Sequence, residues 1–316
     1  MGFEQEEGRR NGSFSVAEAA SEASVETDGF QNSEIPTPTA KKFIMNLHKK
    51  TTIWLKEFGA LFHAAAMMTI HREPPEHYLG YTVAGKVPVI LIPGVLGRWG
   101  YMKSLGDRIS RLGHPVYIVP ELGYNISSIP FSAKMLRSLI ARITGKFGHI
   151  LPRVSKGAEA IQKVIEEKNL KNVILVAHSK GGLIGKYLLT HYNADHKVLG
   201  MIAIAAPFSG SELAKLIPHD AFKELRTDSE IVRDLERHRN ANKKIVSIFP
   251  EYDTHVWAER KSFLEGAENI EVSGLGGHNA LLSDKKIQNG EGSLTSHSIS
   301  MLCGEDLENA ERATSL

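Results

Sequence analysis

Val173-Ile-Leu-Val-Ala177-His178-Ser179-Lys180-Gly181-Gly182 joins an unbroken apolar run to a serine and then to a helical pattern. A strand that feeds a helix through so short a turn holds the serine in a strained backbone conformation with its Oγ exposed. Bulk two positions before or after would strike neighbouring backbone, and Ala177 and Gly181 bring almost none. The N-terminal end of the following helix favours negative charge developing beside the serine. A serine held this way can attack a carbonyl carbon and carry the acyl group as an ester. The plainer alternative is a serine that caps a helix after a core strand.

A serine nucleophile needs a base and an acid. In this strand–turn–helix setting they follow in the chain order serine, acid, histidine. Asp253 lies in Pro250-Glu251-Tyr252-Asp253-Thr254-His255-Val256, directly after the apolar run Lys244–Phe249. His278 closes Ser273-Gly274-Leu275-Gly276-Gly277-His278, after the run Asn269–Val272. Both stand at carboxyl ends of strand candidates, where the ligand groups of open α/β sheets gather. Glu251 competes for the acid role, and a solvated loop residue is the alternative for each. His178 is read as packing, because its position on the turn sends the side chain away from the serine's path. An oxyanion formed in acyl transfer needs preorganised backbone donors. The Lys180 N–H is one, and the Val95 N–H is the other, in a loop that Gly94 lets approach closely. Gly94, Gly97 and Gly100 lack both the lysine-serine ending of a P-loop and the G-x-G of a dinucleotide site. No nucleotide site is therefore expected, and the serine chemistry implies no cofactor or metal.

These side chains must be held by a scaffold, and the surrounding pattern supplies one. Val87–Ile92, Val116–Val119, Val173–Val176, Val198–Ala205, Lys244–Phe249 and Asn269–Val272 are short and mostly continuously apolar, as strands covered on both faces are. Helical patterns at Tyr101–Leu112, Val154–Lys168 and Gly181–Tyr192 lie between them. The alternation predicts an α/β fold with a mostly parallel central sheet flanked by helices on both faces. The domain is expected over 76–290. Within it, 208–243 carries Leu213, Leu216, Ile217, Phe222, Leu225, Ile231, Val232 and Leu235 at mostly helical spacing. That segment is read as a small helical cap insertion, with one face on an acyl pocket and another on the scaffold.

Composition excludes several classes. With 38 Lys+Arg against 36 Asp+Glu there is no basic field to make nucleic acid a partner. The single cysteine, Cys303, rules out an internal disulfide framework and a Cys-rich zinc site. The longest apolar run, Val198–Phe208, is far shorter than the roughly 20 residues of a membrane-spanning helix. Residues 1–40 are acidic and small-residue rich, which predicts a disordered tail. They show neither a secretory signal nor, with Glu6 in place of Ser or Thr, a myristoylation pattern. A basic amphipathic helix is expected over 41–75, ended by Pro74-Pro75, with Leu47, Trp54, Phe58, Leu61, Ala65 and Met68 as its apolar stripe. The stripe either docks on the domain core or meets an anionic membrane surface. A second basic amphipathic stretch, 131–151, offers the same pair of readings. Residues 291–316 are read as a polar, loosely held tail. The expected location is cytoplasmic, with peripheral membrane contact through 41–70 or 131–151 as the variant.

Taken together, residues 85–285 resemble the α/β-hydrolase superfamily, and within it compact lipase and esterase-like members. Ala177-His178-Ser179-Lys180-Gly181-Gly182 resembles the A-H-S-x-G-G elbow of small bacterial lipases. Pro207-Phe208-Ser209-Gly210-Ser211 is similar to their T-P-H-x-G-S/T segment, Gly277-His278-Asn279-Ala280-Leu281-Leu282 to their G-H-x-x-L-L, and Asp253 with Val256 to their D-x-x-V. Many relatives carry His-Gly in the oxyanion loop where this chain has Pro93-Gly94, a change that keeps the backbone donor. The resemblance implies hydrolysis of carboxylic esters or lipids by Ser179, His278 and Asp253. An acyltransferase or thioesterase on the same fold is the enzymatic alternative. A catalytically silent membrane-surface binding protein is the other.

Overall fold

In a computed structural model of the chain, the six strand candidates form one sheet in which every neighbouring pair is parallel. The structure describes residues 38–95, 97–122, 154–217, 220–257, 262–274, 277–288 and 293–304. Residues 1–37 of the tail expected over 1–40, and the stretch 131–151, lie outside them. Contacts divide the chain into Met1–Phe43 and Ile44–Leu316, and the whole sheet lies in the second unit.

The strands are β1 (Val89–Ile92), β2 (Val116–Ile118), β3 (Val173–His178), β4 (Val198–Ile204), β5 (Ile245–Pro250) and β6 (Glu268–Val272), in the order β2-β1-β3-β4-β5-β6. The chain leaves β1 toward one edge and returns to build the other side from β3. The order therefore reverses between β1 and β3, and a crevice opens at their carboxyl ends. Ser179 follows β3 directly, and Pro93-Gly94-Val95 follows β1.

The α-helices are α1 (Pro38–Ile70), α2 (His77–Gly80), α3 (Lys103–Arg111), α4 (Val154–Glu167), α5 (Lys180–His191), α6 (Asp220–Lys223), α7 (Glu230–Arg237), α8 (Lys285–Gln288) and α9 (Leu294–Cys303). Alternate residues of the central strands face two separate cores, which is why the runs read as continuously apolar. Ile90, Ile92, Leu175 and Ala177 meet Val154, Ala158, Ile161 and Ile165 of α4 and Leu183, Ile184 and Leu188 of α5. Leu91, Ile174 and Val176 meet Leu105 and Ile109 of α3, Ile287 of α8 and Ile299 of α9. The segment 208–243 is helical in short pieces, with 3-10 turns at Glu212–Leu216 and Arg239–Lys244 around α6 and α7. Its buried Leu225 and Leu235 join the core on the α4–α5 side.

Two expectations need correction. The apolar stripe drawn for α1 divides: Leu61 and Met68 line a cavity, Phe58 is 53% exposed, and Ile53 and Glu57, outside the stripe, are buried. Turning a helix so that a carboxylate faces inward needs donors waiting for it, and the backbone of Asn279 and Ala280 supplies them. The C-terminal tail, read as loosely held, contains α9. Its N-cap Ser293 accepts from Ser296 N, and Gly304 ends it at φ +77°, a left-handed cap that glycine adopts without strain. Buried Thr295 donates to Ile287 O at 2.8 Å, and Gly200 on β4 leaves room for Leu302. Among the described residues no helix is long and apolar enough to cross a membrane.

Candidate active site

Ser179 stands between β3 and α5 with φ +54° and ψ −124°. The turn is pinned on both sides, by Ser179 N–H donating to Ile204 O and Gly182 N–H donating to Ser179 O, each 2.9 Å. Small residues are required around it. A Cβ at Gly181 would lie 2.5 Å from Ile92 O, and one at Gly94 would lie 2.8 Å from the Ser179 Cβ. Ala177 pairs in register with Ile92 on one side and Ala203 on the other, fully buried. The strain is thus held by two strands and a helix.

The structure brings together the three residues that the sequence singled out. Ser179 Oγ is 2.9 Å from His278 Nε2, and His278 Nδ1 is 3.0 Å from both carboxylate oxygens of Asp253. Asp253 Oδ1 also accepts from the backbone N–H groups of His255 and Val256, each at 2.8 Å. Burial works against its charge. The His278 charge and hydrogen bond, with those two N–H donors, outweigh it and hold the carboxyl at about 2. Burial also works against protonation of His278, but the charge and hydrogen bond of Asp253, then the charge of Glu57, raise it above the ordinary histidine value. Glu251, the rival acid, is exposed and paired with Lys49 of α1 at 2.7 Å.

Val95 and Gly94 line the cavity in front of Ser179, and Lys180 begins α5 immediately behind it. The Lys180 side chain turns away and is buried, with Nζ 2.9 Å from Glu224 Oε2, and Glu224 also accepts from Val154 N–H at 3.1 Å. The residue after the serine therefore ties the start of α5 to the insertion and to α4.

Two groups escaped the sequence reading. His178, expected as packing, is a buried link in a hydrogen-bonded run. Gly94 N–H donates to the Tyr101 hydroxyl at 2.6 Å, that hydroxyl donates to His178 Nδ1 at 3.0 Å, and His178 Nε2–H donates to the carbonyl of His278 at 3.2 Å. This assignment satisfies every partner with a neutral imidazole. Burial, then the charge of His278, push His178 down to about 3 and keep it neutral. Burial likewise holds the Tyr101 phenol well above its ordinary pKa. The glycine loop after β1 and the loop carrying His278 are thereby joined through the side chain beside Ser179. A histidine directly before the serine was the only signal of this in the sequence.

The second group is Glu57 of α1, which is fully buried. Its oxygens accept from Asn279 N–H at 2.9 and 3.0 Å, from Asn279 Nδ2 at 2.5 Å and from Ala280 N–H at 3.2 Å. Farther along α1, Met68 Sδ lies 3.1 Å from Arg98 N. Trp99 Nε1–H donates to Arg72 O at 3.2 Å, just past the helix end. One helix thus touches the loops on both sides of the serine.

The cavity has a volume of about 340 Å³, within the range of small-molecule sites. Leu61, Ala64 and Met68 of α1 form one wall, and Leu213, Ile217, Phe222 and Leu225 of the insertion form the facing one. Val232 and Leu235 of α7, in the same insertion, are buried away from the cavity. The lining is apolar apart from the serine–histidine end, which suits an uncharged chain and a polar reacting centre.

Two groups of described residues have the composition of a metal site. In Asp253, His255 and His278 the facing atoms of the aspartate and His278 are already spent on each other. In His191, Asp234 and His238, at the surface, Arg237 lies 3.5 Å from the same carboxylate and opposes a cation there.

The family model of the alpha/beta hydrolase fold matches residues 87–241. That span runs from β1 through the serine turn to the end of the insertion, and the parallel sheet, its strand order and the serine turn are those of this fold. The chain belongs to the α/β-hydrolase superfamily. Among solved structures, it is similar to the mature lipase BlEst2 of Bacillus licheniformis, with 17% identity and a TM-score of 0.46 over 72% of this chain and 94% of that one. It is also similar to a CIB-like hydrolase of Thermoplasma acidophilum, at 17% identity and TM-score 0.41 over 64% and 81%. A third is an aryl esterase of Burkholderia cenocepacia, at 15% identity and TM-score 0.40 over 64% and 86%. Among curated proteins, none matches the chain.

Proposed function

We propose that the chain is a carboxylic-ester hydrolase acting through an acyl-serine, on uncharged esters whose acyl chain is apolar. The observation that carries this reading is the unbroken run Ser179 Oγ, His278, Asp253 at 2.9 and 3.0 Å, facing an apolar cavity. His278 Nε2 takes the Ser179 proton as Oγ bonds to the ester carbonyl carbon, while Asp253 fixes the Nδ1–H tautomer and stabilises the imidazolium. The carbonyl π electrons move to oxygen, and the N–H groups of Val95 and Lys180 hold that oxyanion. Collapse re-forms the carbonyl and breaks the bond to the alcohol oxygen, which leaves with the proton from His278. Water, deprotonated by the same imidazole, then releases the acid and restores Ser179. No cofactor enters any step.

The test is turnover of p-nitrophenyl esters of rising acyl length by the purified protein and by Ser179→Ala. The expected result is hydrolysis that increases over short-to-medium chains and is abolished in the variant. Equal turnover by the variant would overturn the reading.

A further inference from the structure

Around Glu57, α1 turns apolar side chains outward and a carboxylate inward. Leu55 and Phe58 face outward at 67% and 53% exposure, and the group turned inward at zero exposure is the carboxylate of Glu57. Burying a carboxylate is costly unless donors meet it. Here they all come from one place, the backbone and side chain that follow His278. Asn279 and Ala280 N–H open the 3-10 turn Ala280–Ser283, where helix-type donors have no partner within their own element. Glu57 also packs close to the residue before the histidine, where only glycine leaves room: a Cβ at Gly277 would lie 2.6 Å from Glu57 Oε2. Asn279 and Ala280 follow His278 and are bonded by a single carboxylate from α1, which also packs close to Gly277 on the other side.

We propose that Glu57 is a positioning residue of the active site, clamping the backbone that follows His278 and presenting a second negative charge to its imidazolium. This rests on the ester-hydrolase reading of the site. The charged and titratable groups around His278 come from several elements: Asp253 and His255 from the loop after β5, His178 from the end of β3, and Glu57 from α1. Burial, then the charge of His278, push His255 down to about 4, so at neutral pH it is an uncharged neighbour. Its Nδ1 lies 3.6 Å from Glu57 Oε1. Asp253 and Glu57 are thus the two anions serving one imidazole, and the charge of Glu57 is among the causes that raise it. Asp253 binds the ring, whereas Glu57 binds the chain that carries the ring.

The test is Glu57→Gln, which keeps the shape and an accepting oxygen and removes the charge. Wild type and variant are compared in the pH dependence of kcat/KM on a soluble ester, in thermal unfolding, and in the imidazole titration of ¹⁵N-labelled histidine. Removing an anion disfavours protonated His278. The acid limb and the NMR titration should both move to lower pH by about 0.5–1 unit, and kcat should fall. Unmoved limb and titration in a folded variant would overturn the charge role. Should the glutamine variant not fold, Glu57→Asp carries the test. The charge stays but the reach to Asn279 and Ala280 is lost, so kcat should fall at least tenfold with the limb in place. An unchanged kcat would overturn the clamp. The NMR titration needs no substrate, so Glu57 is tested even on a protein without ester turnover, whose absence would count against the ester-hydrolase reading alone.

Discussion

Tyr101→Phe removes one oxygen and tests whether the two loops flanking Ser179 are truly held as one. The hydroxyl accepts from Gly94 N–H at 2.6 Å and donates to His178 Nδ1 at 3.0 Å, and His178 passes the constraint to the His278 carbonyl. Phenylalanine fills the same space, so the packing against His178 survives and only the polar partners are lost. Each buried group left without a partner costs about 1–3 kcal/mol. Two such groups give a loss of about 2–6 kcal/mol, or a fall in Tm of roughly 4–24 °C for a domain of this size. The catalytic effect should fall on kcat rather than KM. The Gly94-Val95 loop would be free to drift from the developing oxyanion, whose loss of one donor is worth about 10²–10³ in rate. The assays are thermal unfolding and steady-state ester kinetics on wild type and variant. A Tm within 2 °C of wild type together with an unchanged kcat would refute the idea that this run of hydrogen bonds fixes the site.

Lys180→Met separates the backbone of that residue from its side chain. It leaves Glu224 without its buried partner, so stability should fall by about 3 kcal/mol in denaturant titration, while ester turnover, which uses only the N–H, stays within about tenfold of wild type. Asp253 gives a pH prediction. Its folded value of about 2 lies below the ordinary 3.8, so its contribution is complete above pH 4 and is lost as pH falls through 2. In Asp253→Asn the wild-type advantage in stability, about 2 kcal/mol at neutral pH by that shift, should vanish between pH 4 and 2, measured by urea unfolding across that window.

The parts of this site that were legible in sequence are those whose signal is local. The strands read as continuous apolar runs because two cores cover the sheet, with Ile90 and Ile92 facing one and Leu91 the other. Ser179 was legible because its turn tolerates only small neighbours, and Asp253 and His278 because each follows a strand within a few residues. Glu57 was not legible, because its donors belong to Asn279 and Ala280 and no periodicity within α1 can announce them. The same distant contact fixes how α1 is turned: the donors behind His278 hold Ile53 and Glu57 inward, which leaves Phe58 exposed and Leu61 at the cavity wall. The helix Leu294–Cys303 was hidden for a milder reason. Its buried face includes Thr295 and Ser298, which composition counts as tail.

The central claim is that Ser179 carries the acyl group, and the most direct measurement is covalent capture. Protein treated with a fluorophosphonate, then digested and mapped by mass spectrometry, should carry a single adduct on Ser179. Labelling should be absent in Ser179→Ala and slowed by orders of magnitude in His278→Ala. An adduct on another residue, or undiminished labelling of the Ser179→Ala protein, would contradict the account.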